Sequence, residues 1–199
     1  MHTSGTDPRH TGPVQSVPTT PLALIVGRIE AARTIAPLVL VGIGGRGGAG
    51  KSTLAARLAA ELPNTQVVST DSFWDGSGFD LHRLRTAVLD PLLAGTAVTY
   101  DEWDWAAKQP RRGRELRPQG LVVIEGVCAL HQMFRDDLTV RIWVDAPYDV
   151  RLARGVARDG EASRATWVDV WMPNENAYVA RDDPMACADL VVDGTQPFG

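Results

Sequence analysis

The most informative part of the sequence runs from residue 38 to residue 52 and reads LVLVGIGGRGGAGKS. Its first six residues are aliphatic apart from one glycine, which is typical of a strand buried on both faces of a parallel sheet. Residues 45–52 satisfy the pattern G-x-x-x-x-G-K-[ST]. The leucines at 54, 58 and 62 then recur at helical spacing. A strand before this motif and a helix after it are the context that a phosphate-binding loop requires.

The residue types of this loop suit a bound triphosphate. Glycines allow the main chain to wrap around a phosphate group, and the helix that follows directs its N–H groups and its dipole at the same anion. The predicted nucleotide-binding residues are Gly45, Gly47, Gly48, Ala49, Gly50, Lys51, Ser52 and Thr53. Lys51 would stabilise charge on the β- and γ-phosphates, and the Ser52 hydroxyl would ligate Mg²⁺. A dinucleotide-binding turn does not require Lys-Ser at its end. The loop therefore predicts binding of ATP with Mg²⁺.

Two acids follow later predicted strands. Asp71 comes after the strand predicted over 66–69, and Glu125 after the strand predicted over 121–124. The carboxyl ends of parallel strands share one edge with the phosphate loop, so both acids should face the phosphates. Asp71 is the predicted catalytic base for a hydroxyl acceptor, and Glu125 and Asp71 are candidate Mg²⁺ ligands. The alternative for each is a capping or turn acid.

The rest of the chain alternates strands with helices. The further elements predicted are strands over 139–144 and 189–192 and helices over 22–32, 81–92, 147–156 and 163–172. This order predicts an α/β fold, a P-loop NTPase three-layer sandwich with a central parallel sheet of about five strands. Residues 1–20 are rich in Pro, Thr, Ser and Gly, which predicts a flexible arm before a single domain over 21–199.

Composition limits the partners. The net charge of -4 and pI near 5.5 argue against nucleic acid binding, and no apolar run reaches membrane-spanning length. Nor does the N-terminus resemble a signal peptide, so we expect a cytoplasmic protein. Because a nucleic acid partner is not expected, the acceptor is predicted to be a small molecule. A homo-oligomer is compatible with the sequence. The arginines at 111, 112, 114 and 117 are predicted to lie on a solvated loop.

Five segments together resemble the uridine kinase and phosphoribulokinase group of P-loop kinases. They are the loop at 45–53, TDSFW at 70–74, YD at 100–101, VVIEG at 122–126 and RLAR at 151–154. The resemblance spans residues 37–195. It implies ATP- and Mg²⁺-dependent transfer of phosphate to a hydroxyl, with Asp71 as the base, Ser52 and Glu125 at the metal, and Asp80 and Tyr100 contacting a nucleoside.

The same resemblance assigns the arginines of a lid segment to the moving phosphate. These are Arg151, Arg154 and Arg158. Arg151 and Arg154 lie one helical turn apart and can face the same side, where they would stabilise the transition state. The alternative is a solvated helix face that pairs with Asp149 or Asp159.

The acceptor is the least constrained part of the prediction. Uridine kinases follow the Tyr-Asp pair with an aromatic residue and a histidine, whereas this chain has Glu102-Trp103-Asp104-Trp105. Trp74 and Trp103 are predicted pocket residues, as is Glu125, although tryptophans also fill cores. A nucleoside is the expected acceptor. The alternatives are a different alcohol, a nucleoside monophosphate, or an ATP-binding switch without an acceptor.

Overall fold

The computed structural model describes residues 21–75, 78–105 and 107–198, so the arm predicted over 1–20 lies outside the described residues. The strands are β1 (Leu38–Gly44), β2 (Thr65–Ser69), β3 (Val98–Asp104), β4 (Gln109–Leu116), β5 (Gly120–Glu125), β6 (Val140–Asp145) and β7 (Leu190–Asp193). Five of them form a parallel sheet in the order β2-β5-β1-β6-β7. The other two, β3 and β4, form an antiparallel hairpin.

Helices cover both faces of the sheet. The α-helices are α1 (Leu22–Arg33), α2 (Lys51–Glu61), α3 (Leu81–Leu84), α4 (Asp90–Leu93), α5 (Tyr148–Asp159), α6 (Arg164–Thr166) and α7 (Met172–Asp182). Five-residue π-helical segments join α3 to α4 (Arg85–Leu89) and α6 to α7 (Trp167–Trp171). Within the described residues, no helix is both long and apolar enough to cross a membrane.

Successive residues of the central strand belong to two separate cores. Val39 and Val41 pack with α1 and α2, including Leu58, whereas Leu40 packs with the helical stretch that carries Leu84. Side chains alternate between the faces of a strand, so a strand covered on both faces reads as a continuous apolar run. The prediction of a P-loop α/β sandwich with five parallel strands is confirmed.

The arginines at 111, 112, 114 and 117 are exposed, as predicted, but the predicted loop is wrong, because most of this segment is strand β4. Every residue of β4 except Leu116 is exposed, so the strand shows no alternation of apolar and polar residues. Backbone pairing with β3 holds it in place instead. Sequence periodicity cannot detect a strand of this kind.

The helix predicted over 163–172 also ends too early. The helical stretch continues through Pro173 to the end of α7 at Asp182. Pro173 follows directly on the π-helical segment Trp167–Trp171, where the regular i→i−4 hydrogen-bond ladder is already interrupted and a residue without an N–H is accommodated. The extension places Glu175 in the first turn of α7, facing the phosphate loop.

Candidate nucleotide and acceptor site

The phosphate loop lies between the central strand β1 and helix α2. Gly45, Gly48 and Gly50 have positive φ angles of 151°, 75° and 111°. A Cβ atom on Gly48 would lie 2.4 Å from the main-chain oxygen of Arg151. The loop is therefore packed against α5 so closely that position 48 has room only for glycine.

The loop directs a buried cation and a hydroxyl into the site. Lys51 is 8% exposed, and its Nζ donates to the carbonyl oxygen of Arg46 at 3.0 Å. The Ser52 hydroxyl donates to Oε2 of Glu125 at 3.0 Å. Among the described residues, no group of three or more His, Cys, Asp or Glu side chains could hold a metal ion. Mg²⁺ usually takes only one or two protein ligands beside phosphate oxygens, so the Ser52 and Glu125 oxygens fit it.

Asp71 lies in the short 3₁₀ turn after β2, close to the end of β5. Ser69, two residues earlier, is in register with Glu125, and the main-chain N–H of Asp71 donates to the Ser69 hydroxyl at 3.3 Å. Burial raises the pKa of Asp71, while the charges of Lys51 and Arg158 lower it and that of Glu125 raises it. The structure thus brings Asp71, Lys51 and Glu125 into one electrostatic site.

The three lid arginines have different partners. Arg151 is buried, and it donates from Nε to the carbonyl oxygen of Ala146 at 3.1 Å. Arg154 donates to the carbonyl oxygens of Gly48 and Gly194 at 3.3 and 2.8 Å. Arg154 therefore links the loop to the chain after β7, and its contact with the moving phosphate stays a prediction.

Arg158 is the lid arginine whose charge acts on Asp71. It is exposed, pairs with Asp159 at 2.7 Å, and lies over the ring of Trp167. The ion pair with Asp159 agrees with the alternative in which Arg158 lies on a solvated helix face. The lowering of the Asp71 pKa by the Arg158 charge instead indicates that the guanidinium lies near the site. The ion pair with Asp159 and the charge effect on Asp71 are compatible with one side chain at the rim of the site.

A cleft lies between the β3–β4 hairpin and the segment after β2. It consists of two adjoining hollows of about 200 and about 280 Å³. The residues that line them are Ser72, Trp74, Asp75, Arg83, Asp101, Glu102, Trp103, Asp104, Trp105, Pro110 and Arg111. We call this space the hairpin cleft. It contains Trp74 and Trp103, both of which were predicted to be pocket residues.

Asp80 and Tyr100 are held by contacts within the protein. The side chain of Asp80 caps α3 by accepting from the main-chain N–H of Arg83 at 2.8 Å. The ring of Tyr100 stacks on Phe73 with centroids 5.3 Å apart, and burial raises the Tyr100 pKa to about 12. Neither residue is among those that line the hairpin cleft, so their contact with an acceptor stays a prediction.

Two contacts at the site escaped the sequence reasoning. The indole nitrogen of Trp105 donates to the carbonyl oxygen of Asp71 at 3.1 Å, which ties the hairpin to the candidate base. The carboxylate of Glu175 accepts from the main-chain N–H of Gly47 at 2.9 Å. The Trp-Asp-Trp sequence around Trp105 was a usable signal, whereas Glu175 lies 128 residues from its partner and carries no local signal.

Comparison with known proteins identifies sequence relatives of this chain. No protein-family model matches the chain. It is 30% identical over 152 residues to the uridine kinase of Alkaliphilus metalliredigens, a match that covers 66% of this chain and 73% of that protein. It is 25% identical over 145 residues to a uridine kinase of Streptococcus agalactiae, covering 62% and 68% of the two chains.

The fold has a parallel among solved structures. A structure described as a possible uridine kinase from Bacillus stearothermophilus superimposes with a TM-score of 0.60 at 18% identity, over 85% of this chain and 99% of that one. This likeness concerns the fold, and the sequence relatives carry the family assignment. Together with the phosphate loop and its strand-end acids, they show that the chain belongs to the uridine kinase family of P-loop kinases.

Proposed function

We propose that the protein transfers the γ-phosphate of ATP to a hydroxyl group of a small molecule, and that the acceptor is a nucleoside. One observation carries the proposal. The half-buried Asp71 carboxyl group shares its electrostatic site with Lys51 of the phosphate loop. A hydroxyl becomes a good nucleophile when a carboxylate accepts its proton, and such a base has to lie beside the phosphate that is transferred.

In this mechanism, the loop binds and orients the triphosphate through its main-chain N–H groups. Lys51 stabilises the negative charge that develops on the transferred group, and Asp71 accepts the proton of the acceptor hydroxyl. Ser52 and Glu125 would hold Mg²⁺, which neutralises charge on the phosphate oxygens when bound. Arg151 and Arg154, with Arg158 at the rim of the site, then stabilise the transition state.

The hairpin cleft supports an acceptor without a phosphate group. Its lining includes four acidic side chains and two arginines, and one of the arginines, Arg111, is paired with Glu102. A monophosphate acceptor would instead require a surplus of cations around its phosphate. The indole faces of Trp74 and Trp103 suit a flat ring. These features favour a nucleoside over a nucleoside monophosphate.

An acceptor panel tests the proposal. The purified protein would be supplied with Mg-ATP, and ADP release would be measured with nucleosides, sugars, other alcohols or nucleoside monophosphates. We expect at least one nucleoside to raise ADP release well above the rate without acceptor and to yield a phosphorylated product. ADP release that no acceptor stimulates would contradict the proposal and favour the ATP-binding switch. Stimulation by a sugar alone would retain the mechanism and change the acceptor.

The pH dependence of turnover reports on Asp71. Burial raises its pKa above the ordinary value of 3.8, and only the unprotonated form can accept a proton. We therefore expect kcat/KM to fall as the pH is lowered through this raised pKa and to be level above it. The measurement is kcat/KM for the acceptor at constant ionic strength. The residual activity of Asp71→Asn should lack this acidic limb, and a variant that keeps the limb would assign it to another group.

A further inference from the structure

Glu175 is a buried acid that the proposed mechanism does not use. It lies in the first turn of α7 and is 9% exposed. Its Oε1 accepts from the main-chain N–H of Gly47 at 2.9 Å. Its Oε2 accepts from the guanidinium of Arg151 at 3.4 Å. One carboxylate therefore bridges the phosphate loop and a lid arginine.

The surroundings of this carboxylate are those of a bound anion. Burial raises the pKa of Glu175, whereas the Gly47 N–H and the charges of Lys51, Arg151 and Arg46 lower it. Arg46 also donates to the side-chain oxygen of the next residue, Asn176, at 3.2 Å. In P-loop proteins, phosphate oxygens are bound in the same way, by main-chain N–H groups of the loop together with nearby cations.

We propose that Glu175 occupies the place of an ATP phosphate oxygen at the Gly47 amide and at Arg151, and that binding of the triphosphate displaces it. This inference rests on the proposed function. The single N–H of Gly47 cannot donate to Glu175 and to a phosphate oxygen at full strength, and two negative charges at the Gly47 amide repel each other strongly away from water. Displacement of Glu175 also releases Arg151, whose charge is otherwise paired, so that it can contact the nucleotide.

The terminal phosphate is the group that competes with Glu175. Lys51 is among the cations that act on the Glu175 carboxylate, and in this motif the lysine reaches the β- and γ-phosphates. ADP lacks the γ-phosphate and should leave Glu175 in place. Glu175 is therefore a positioning residue that makes the state of Arg151 depend on the presence of a triphosphate.

The substitution Glu175→Gln keeps the size of the side chain and one oxygen that can accept from Gly47, and it removes the charge and the second acceptor. We expect the Kd of a non-hydrolysable ATP analogue, measured by calorimetry with Mg²⁺, to fall about tenfold, and that of ADP to change less than about twofold. The control is Glu161→Gln, since Glu161 is an exposed acid between α5 and α6 that pairs with Arg164, and it should change neither value. An equal change for both nucleotides would overturn the inference and make Glu175 a structural brace.

Hydrogen exchange of the wild-type protein gives a second readout that no folding defect can affect. We expect amides of 172–182 to exchange faster with the ATP analogue bound than with ADP bound. Equal exchange in the two complexes would overturn the displacement of Glu175 and leave the proposed kinase intact. If the wild-type protein binds neither nucleotide, the proposed function and this inference are both overturned.

Discussion

The substitution Asp71→Asn is expected to lower acceptor-dependent turnover by about 10²–10⁴-fold, the usual contribution of a general base. The amide has nearly the same shape as the carboxylate and cannot take up the proton of a hydroxyl. ATP binding should be retained or strengthened, because the substitution removes a negative charge that is coupled to Lys51 and Glu125. The measurement combines ADP release in the presence of acceptor with calorimetric titration of ATP.

Asp149→Asn is the matched control for this prediction. Asp149 is an exposed acid in the first turn of α5, and its neutralisation should leave turnover within about twofold of wild type. Thermal melting at neutral pH checks the fold of both variants. Asp71→Asn should melt no lower than wild type, since a carboxylate whose pKa is raised by burial destabilises the folded state above that pKa. Full acceptor-dependent turnover of Asp71→Asn would refute its role as the base.

The substitution Gly48→Ala is expected to weaken ATP binding about a hundredfold. The φ angle of Gly48 is 75°, a conformation that disfavours side chains, and the new Cβ would lie 2.4 Å from the main-chain oxygen of Arg151. A main-chain atom cannot move aside as a flexible side chain can, so the loop itself has to change shape. Its N–H groups would then no longer converge on a phosphate. Calorimetric titration with Mg-ATP measures the loss.

Gly95→Ala separates the two causes of this effect. Gly95 has a φ angle of 77°, but a Cβ there would meet no atom within 4 Å. The control should therefore lose about 1–2 kcal/mol of unfolding free energy through backbone strain and keep its ATP affinity. If both variants lose the same stability and both still bind ATP, close packing of the loop against Arg151 is not what requires glycine at position 48.

Much of the fold and the centre of the site could be predicted because their signals are local. The continuous apolar runs of β1 and β5 reflect burial on both faces, and each is followed directly by residues that suit phosphate or metal binding. In a parallel sheet, the residues after neighbouring strands meet at one edge. Asp71 and Glu125 could therefore be placed beside the phosphate loop without coordinates.

The hairpin and the lid contacts could not be predicted in the same way. Strand β4 is almost entirely exposed, so its sequence lacks the alternation that marks a half-buried strand. The contact of Trp105 with Asp71 depends on how this hairpin docks. The predicted helix end at residue 172 was wrong because the helix continues through Pro173. That error hid the residue that contacts Gly47.

The amino-acid sequence by itself predicted nucleotide binding and phosphate transfer. The phosphate loop, its lysine and the acids at the strand ends are short motifs that can be recognised from neighbouring residues alone. Only the tertiary structure showed which distant charged and polar groups are in contact. Glu175 reaches Gly47 from 128 residues away, and Arg151 lies buried against it rather than exposed on a helix face. The position of a helix end and the packing of a lid depend on many distant contacts, which no local pattern records.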